Sequence, residues 1–259
     1  PMMVPACARR RIAAFAAIAA ICAAASPARS QQTGAESVPD SIVITGHRDN
    51  AIGTSDSASQ GTVTSTMIED RPALRPGEVL EFVPGVIVTQ HSGDGKANQY
   101  FLRGFNLDHG TEFATFVAGM PANMRSHAHG QGYTDLNFLI PELISRVNYR
   151  KGPYYAEDGD FANAGSARIL YVSGLKQPFA SATIGQNGYQ RLLAAGSTAV
   201  GPGTLLGALE IGHNNGPWDV PEDFRKLNGV LRWSMAAGND DIGVTAMGYS
   251  AKWTATDQL

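Results

Sequence analysis

The chain has 259 residues, room for one or two domains, with 29 glycines and only 17% charged side chains, a balance that suits β-structure with many tight turns better than a helical protein. The net charge is −3, and residues 1–30 hold Arg9, Arg10, Arg11 and Arg29 and no acid, so the remainder carries −7. An acidic body without a basic stripe or a nucleic-acid motif argues against nucleic acid as a partner, since that binding needs a basic face.

Arg9-Arg10-Arg11 precedes an apolar run over residues 12–25, too short for an ordinary membrane span. The run is apolar all round, so it does not read as an amphipathic surface helix. Ala28 and Ser30 supply small residues where signal peptidase reads them, so residues 1–30 are expected to be a signal peptide cleaved after Ser30. Cys22 follows Ile21 where lipidation would want a small residue. Cys7 and Cys22 both leave with the signal, so the exported body needs no disulfide. A first residue Pro1 in place of Met suggests a fragment.

Residues 31–40 are polar and read as disordered. Ser41, Ile42, Val43, Ile44, Thr45 and Gly46 interrupt them with an isolated β-branched run. Such a run cannot bury itself and suits addition to another protein's sheet edge. An ordinary first strand of the following domain is the alternative. Residues 49–65 are Ser/Thr/Gly-rich and are expected to be a linker, so 31–65 is read as a disordered N-terminal segment.

Residues 66–177 read as a small α+β unit. A short element over 66–74 precedes a helical turn over 78–82, ended by Pro84-Gly85. Val86-Ile87-Val88 is a β-branched strand. Residues 100–103 form a strand stopped by Gly104, and 113–117 another, turned by Gly119 and Pro121. A short helix over 141–145 starts at Pro141, and strands over 146–150 and 167–172 finish the sheet. Short strands with long polar loops suggest binding loops, or a domain packed inside something else.

The order of five motifs in this stretch resembles the plug domain of TonB-dependent outer-membrane receptors. They are Pro84-Gly85-Val86, Arg103-Gly104, Val117-Ala118-Gly119-Met120-Pro121, Ile140-Pro141 through Lys151-Gly152-Pro153, and a glycine-bearing run into a final strand. The family's turn aspartate is Ala118 here. The resemblance implies that residues 41–46 are a TonB box, recognised by the C-terminal domain of TonB in the periplasm. Ten residues between cleavage site and box leave no room for the extra domain of transducing members, so transport is expected, not transcriptional signalling.

Three polar loops carry the unusual chemistry. Residues 90–98 hold His91, Asp94 and Lys96, and residues 106–110 hold Asp108 and His109. Residues 123–133 hold Asn123, Arg125, His127, His129, Gln131 and Tyr133. By resemblance, loops of this kind meet the ligand from outside. His127 and His129 lie on one side of an extended segment. With His91, His109 and Asp108 they could ligate a divalent metal. Direct contact with an organic or chelated substrate and plain structural packing are the other readings. Catalysis is not expected: no nucleophile elbow, phosphate loop or partner to the His-Ala-His pair occurs. No cofactor is implied.

From residue 178 the rhythm changes to that of an outer-membrane barrel, with strands of about 10 residues separated alternately by short turns and long loops. Residues 179–200 read as one long strand with a bulge at Gly185 and Gly188. Residues 201–203 turn tightly. Leu205, Gly207, Leu209 and Ile211 share a face, as do Leu227, Leu231, Trp233 and Met235. A strand over 242–253 makes about four. Trp218, Trp233, Tyr249 and Trp253 are candidate interface aromatics, and a soluble β-sandwich is the alternative. Plugged barrels of this kind have about 22 strands, so residues 178–259 are expected to be the opening of a truncated sheet.

The expected fold is therefore an α+β plug domain followed by the first antiparallel strands of an incomplete transmembrane β-barrel. The expected function is energised uptake at the cell outer membrane, with outer-membrane lipid, TonB and an extracellular ligand as partners. Ferric siderophores lead the substrate classes. Cobalamin, copper or nickel chelates and oligosaccharides stay open. A non-transporting plug-like binding module and a non-functional truncated product are the competing readings.

Overall fold

The structure, a computed structural model, describes residues 49–50, 53–57, 59–71, 74–90, 92–238 and 240–255. The expected signal peptide, the expected TonB box at 41–46 and His91 lie outside the described residues.

The stretch expected to be a linker forms strands instead: β1 (Asp49–Asn50), β2 (Gly53–Ser57) and β3 (Gln60–Thr64). Composition misleads here. Thr62 and Val63 are β-branched, Val63 is fully buried, and residues 60–64 pair with 146–150 across the sheet. Helix α1 (Ser65–Glu69) follows, then a 3-10 turn over Pro76–Phe82. Pro76 opens that turn, where its missing N–H costs nothing. The Glu78 carboxylate accepts the backbone N–H groups of Leu74 and Arg75, at 2.9 and 3.4 Å. Val79 and Leu80 are driven into the core.

A three-stranded antiparallel sheet comes next: β4 (Val86–Thr89), β5 (Gln99–Leu102) and β6 (Phe105–Asn106). Then come β7 (Phe113–Val117) and β8 (Met120–Pro121), joined through Ala118 and Gly119, both with positive φ (+50° and +86°), the signature of a type I′ turn. The short helix expected over 141–145 is a 3-10 turn over Pro141–Leu143, because the chain is already extended at Ile144. Strands β9 (Ile144–Lys151) and β10 (Gly165–Tyr171) complete the seven-stranded sheet, in the order β1-β2-β3-β9-β10-β7-β8. The β10–β7 pair is parallel and the other pairs are antiparallel. A register shift opposite Leu170 and Tyr171 lets Ile144 and Val147, three residues apart, both face inward. Val117, Val147 and Ile169 pack there with Leu80, Leu139 and Leu143, each contributing roughly 1.5–3 kcal/mol by burial.

Beyond this unit a five-stranded antiparallel meander runs β11 (Phe179–Ile184), β12 (Gln190–Val200), β13 (Gly203–Asn214), β14 (Phe224–Ala237) and β15 (Asp240–Lys252). The count differs from the expected four. The glycines read as a bulge make a hairpin: Ile184 pairs with Gln190, and Asn187 and Gly188 turn the chain with φ of +54° and +70°. Among the described residues this sheet does not close. Its two faces differ in chemistry. Ile184, Leu192, Leu227, Leu231, Ile242 and Val244 point outward and are exposed. Leu206, Glu210, Asn228, Val230 and Ser234 are buried against the plug. No helix of the described residues is long and apolar enough to cross a membrane.

Candidate functional site

The long connections of the meander, residues 185–189 and 215–223, lie at one end, and the tight turns at residues 201–202 and Gly238 lie at the other. The plug loop over residues 92–98 is clamped to the long-loop end. The Asp94 N–H donates to Glu222 at 2.8 Å, and the Asp94 carboxylate takes bonds from Arg75 (2.8 Å) and Asn214. The Trp253 indole lies so closely over Gly95 that a methyl there would stand 2.0 Å from the ring. Trp253 is therefore a plug contact and not an outward interface aromatic. Tyr249 pairs in register with the buried Asn228 on the inner face, so it also departs from expectation.

This loop supports the histidines. Asn98 offers its backbone carbonyl to His109 Nδ1 at 2.9 Å, and the Ala97 N–H donates to the Tyr133 hydroxyl at 3.0 Å. His109 is 1% exposed and rigidly seated, its own carbonyl accepting the Thr134 N–H at 2.8 Å. A carbonyl only accepts, so Nδ1 carries a proton, and Nε2 is the ring nitrogen turned toward Asp108. Asp108 stands beside it with φ +50°. Two bonds hold this uncommon backbone: its N–H donates to Asn106 Oδ1 (2.8 Å) and its carbonyl accepts from Tyr100 N–H (2.8 Å).

The chain returns over these residues through the segment 123–133. Met124 and Tyr133 form an isolated bridge. Gly132 sits at φ +83°, and a Cβ there would be 2.7 Å from Thr111 Cα, so only glycine closes this loop. His129 Nε2 then stands 3.4 Å from Asp108 Oδ1, and His109 Nε2 stands 3.9 Å from the same oxygen. The three ligand atoms all lie within 4.8 Å of one another.

The other expected site residues take different places. His127 stacks on Tyr133 with ring centroids 4.0 Å apart, and its Nδ1 accepts the His129 N–H at 3.1 Å. Its Nδ1 lone pair is thus spent on the loop backbone at His129. Tyr133 is a buried floor that touches the rings of His109, His127 and His129. Burial pushes its phenol above the usual range, partly offset by the bond from Ala97, so it stays protonated. The Asn123 amide is spent within the loop, donating toward the carbonyls of Gly110, Phe113 and Gly132 and accepting the Thr115 N–H. Arg125 and Gln131 are exposed on the loop's outer surface.

Sequence reading missed Asp135, beneath the loop, whose carboxyl is pushed up by burial against opposing bonds from Asn137. It also missed the plug–wall network. Arg191 bonds both Glu142 and Glu210, Lys226 reaches Glu210 at 2.9 Å, and Asn228 donates to the Phe138 carbonyl at 2.8 Å. No local signal marks these, because the partners sit on different strands or on plug and wall, far outside one another's sequence neighbourhood.

Comparison with known proteins agrees with this architecture. Residues 53–166 match the model of the TonB-dependent receptor plug domain. The copper transporter OprC is similar in structure, with TM-score 0.57 and 20% identity, over 77% of this chain and 31% of that one. The ferric enterobactin receptor from Pseudomonas aeruginosa gives TM-score 0.53 and 16% identity, over 74% of this chain and 34% of that one. The FrpB iron transporter from Neisseria meningitidis gives TM-score 0.57 and 17% identity, over 74% and 32%. The chain thus spans about a third of the length of the solved structures it matches. Residues 53–166 are a TonB-dependent receptor plug domain, and over about three quarters of its length the chain shares the fold of these solved structures, a plug seated against the opening strands of a barrel.

Proposed function

We propose that the chain serves as a TonB-dependent transporter of the outer membrane that takes up a scarce metal-containing substrate, a chelate such as a ferric siderophore being the first class to test. One observation carries this reading: a cluster of histidine, aspartate and tyrosine sits on the plug beside the loop clamped to the long-loop end of the barrel sheet. In outer-membrane barrels the long loops face outside and the short turns face the periplasm. The names of the similar copper and iron transporters point the same way. Substrate binds the plug loops and barrel loops from outside. Residues 41–46 then become available in the periplasm, TonB pairs with them, and its pull rearranges the plug. No residue performs bond chemistry. The exported precursor loses residues 1–30.

The test is binding of a peptide covering residues 38–48 to the C-terminal domain of TonB, beside the same peptide carrying Ile44→Pro. Proline removes a backbone donor in mid-strand. Binding that proline abolishes supports energised transport. No binding by the native peptide demotes residues 41–46 to an ordinary strand and removes the basis for a TonB partner.

A further inference from the structure

We propose that Asp108, His109 and His129 bind a late first-row divalent transition-metal ion directly, so that the protein itself ligates the transported metal. This deepens the transport reading and rests on it for the ion being cargo.

The donor set is two imidazoles and one carboxylate, the type that suits Zn²⁺, Co²⁺, Ni²⁺ or Cu²⁺ and disfavours the all-oxygen sites of calcium and magnesium. Spacing decides whether one ion can reach all three. Bonds of about 2.0–2.1 Å in a tetrahedral site place ligand atoms about 3.3–3.4 Å apart. The Asp108–His129 edge is already 3.4 Å, and the Asp108–His109 edge is 3.9 Å. The three atoms lie within 4.8 Å of one another, so the remaining edge must contract by at most about 1.4 Å. The burial pattern says which side chains supply that movement. His109 is the fixed post, held in the core with Nδ1 on the Asn98 carbonyl. A metal-bound histidine ordinarily has such an acceptor on its other nitrogen, which sets the tautomer and the ring direction. The side chains of His129 and Asp108 are 37% and 47% exposed and are able to swing inward. The rings of His109 and His129 meet edge to face, 80° apart with centroids at 4.5 Å, so their nitrogens converge without the planes clashing.

His127 falls outside the set. It stacks on Tyr133, and its Nδ1 accepts the His129 N–H. Three protein ligands leave a coordination position open, as catalytic zinc sites do and closed structural sites do not. An open position permits exchange, which a transporter needs and a structural site avoids.

The test uses the receptor extracted from outer membranes in detergent and purified without a polyhistidine tag. Co²⁺ is titrated while visible ligand-field absorption is followed, and Zn²⁺ is then used to displace it. Four proteins are compared: wild type, His129→Ala, Asp108→Asn and His127→Ala. Asn tolerates the left-handed backbone of residue 108 and removes only the charge. His129 and His127 are on an exposed loop, so their replacement leaves the core intact. The expected result is a Co²⁺ spectrum in wild type and in His127→Ala. Affinity should fall at least about 100-fold in His129→Ala and Asp108→Asn, beyond the 10–100-fold typical of residues that only orient ligands. A wild type with no Co²⁺ spectrum overturns the proposal. So do His129→Ala and Asp108→Asn proteins that bind like wild type, or a His127→Ala protein that fails as they do. The assay contains no TonB. Failure here with peptide binding intact leaves energised transport standing, and metal binding without peptide binding leaves the site standing with the transport reading lost.

Discussion

Arg191 on the barrel wall holds both carboxylate oxygens of Glu142 on the plug, Nη1 to Oε1 at 2.5 Å and Nη2 to Oε2 at 2.9 Å. Its remaining nitrogen, Nε, reaches Glu210 at 2.6 Å, and Lys226 completes a cluster of two acids and two bases between plug and wall. A forked guanidinium fits this role better than lysine because it bonds two acids at once. Breaking a buried pair typically costs 3–5 kcal/mol. The Glu142 side chain is 37% exposed, and solvent screens part of the attraction, so a coupling of about 1–2 kcal/mol is expected. Single variants Arg191→Ala and Glu142→Ala and the double variant, compared by thermal unfolding of the detergent-solubilised receptor, give that coupling. Additive effects would mean that the pair does not join plug to wall.

The same pair sets an acid limit. Burial alone would raise the Glu142 carboxyl, but the bonds and charge of Arg191 outweigh it and hold the group below its ordinary 4.5. A depressed folded value means that the stabilisation is fully present above about pH 4.5 and is lost as pH falls from there through the folded value. Acid should therefore loosen the plug, measured as faster proteolysis of the plug loops below pH 4.5. Glu142→Gln, which has no proton to gain, should show a flatter profile over the same range while starting less stable.

Tyr133 supports the histidine loop through one hydrogen bond and a stacked ring. Tyr133→Phe keeps the ring and removes the acceptor for the Ala97 N–H, a bond between buried groups. A buried donor left without a partner costs about 1–3 kcal/mol. Hydrogen exchange at Ala97 should speed up, with the loop over residues 92–98 loosened locally and the His127 stacking retained. Unchanged exchange at Ala97 would show that the hydroxyl does not hold that loop.

What could be read from the chain divides along lines of locality. Turns such as Arg103-Gly104 and Ala118-Gly119 announce themselves because their chemistry is confined to neighbouring residues. The outward apolar face of Leu227 and Leu231 is legible because strand side chains alternate. The strand over residues 60–64 is hidden from a local reading because its stability comes from pairing with residues 146–150, far away in sequence. Gly185 and Gly188 suit a bulge as well as a hairpin because both need the same backbone freedom. The polar loops are legible from residue type, but their grouping is not. That His109 is the buried post, and that His127 turns to Tyr133, depends on Asn98 and on the return of the loop at Gly132.

Ala118 stands in the left-handed region at φ +50°, inside a two-residue hairpin whose next residue is Gly119. A side chain there costs about 1–2 kcal/mol, and glycine gives back about 0.5–1 kcal/mol of that through its freer unfolded chain. Ala118→Gly should therefore raise stability by about 0.5 kcal/mol. Ala118→Val should lower it by about 1–2 kcal/mol or more, since a β-branched residue resists this backbone most. Unfolding temperatures of the two variants must move in opposite directions if the turn geometry is right.

Leu231 lies near the middle of β14, 52% exposed, with Gly207 and Ala246 beside it across the sheet. Three residues away Asn228, fully buried, faces the plug and donates to Phe138. If the exposed face meets lipid, the cost of a charge must depend on depth. Leu231→Arg at mid-strand should cost about 2–4 kcal/mol in bilayer refolding, and the same change at Leu227, nearer the strand end, should cost less because the side chain reaches the interface. A soluble sheet would give two small and equal penalties, since an arginine on a solvated face is nearly neutral. The gradient between the two positions therefore separates a membrane wall from a water-facing sandwich without any knowledge of the substrate.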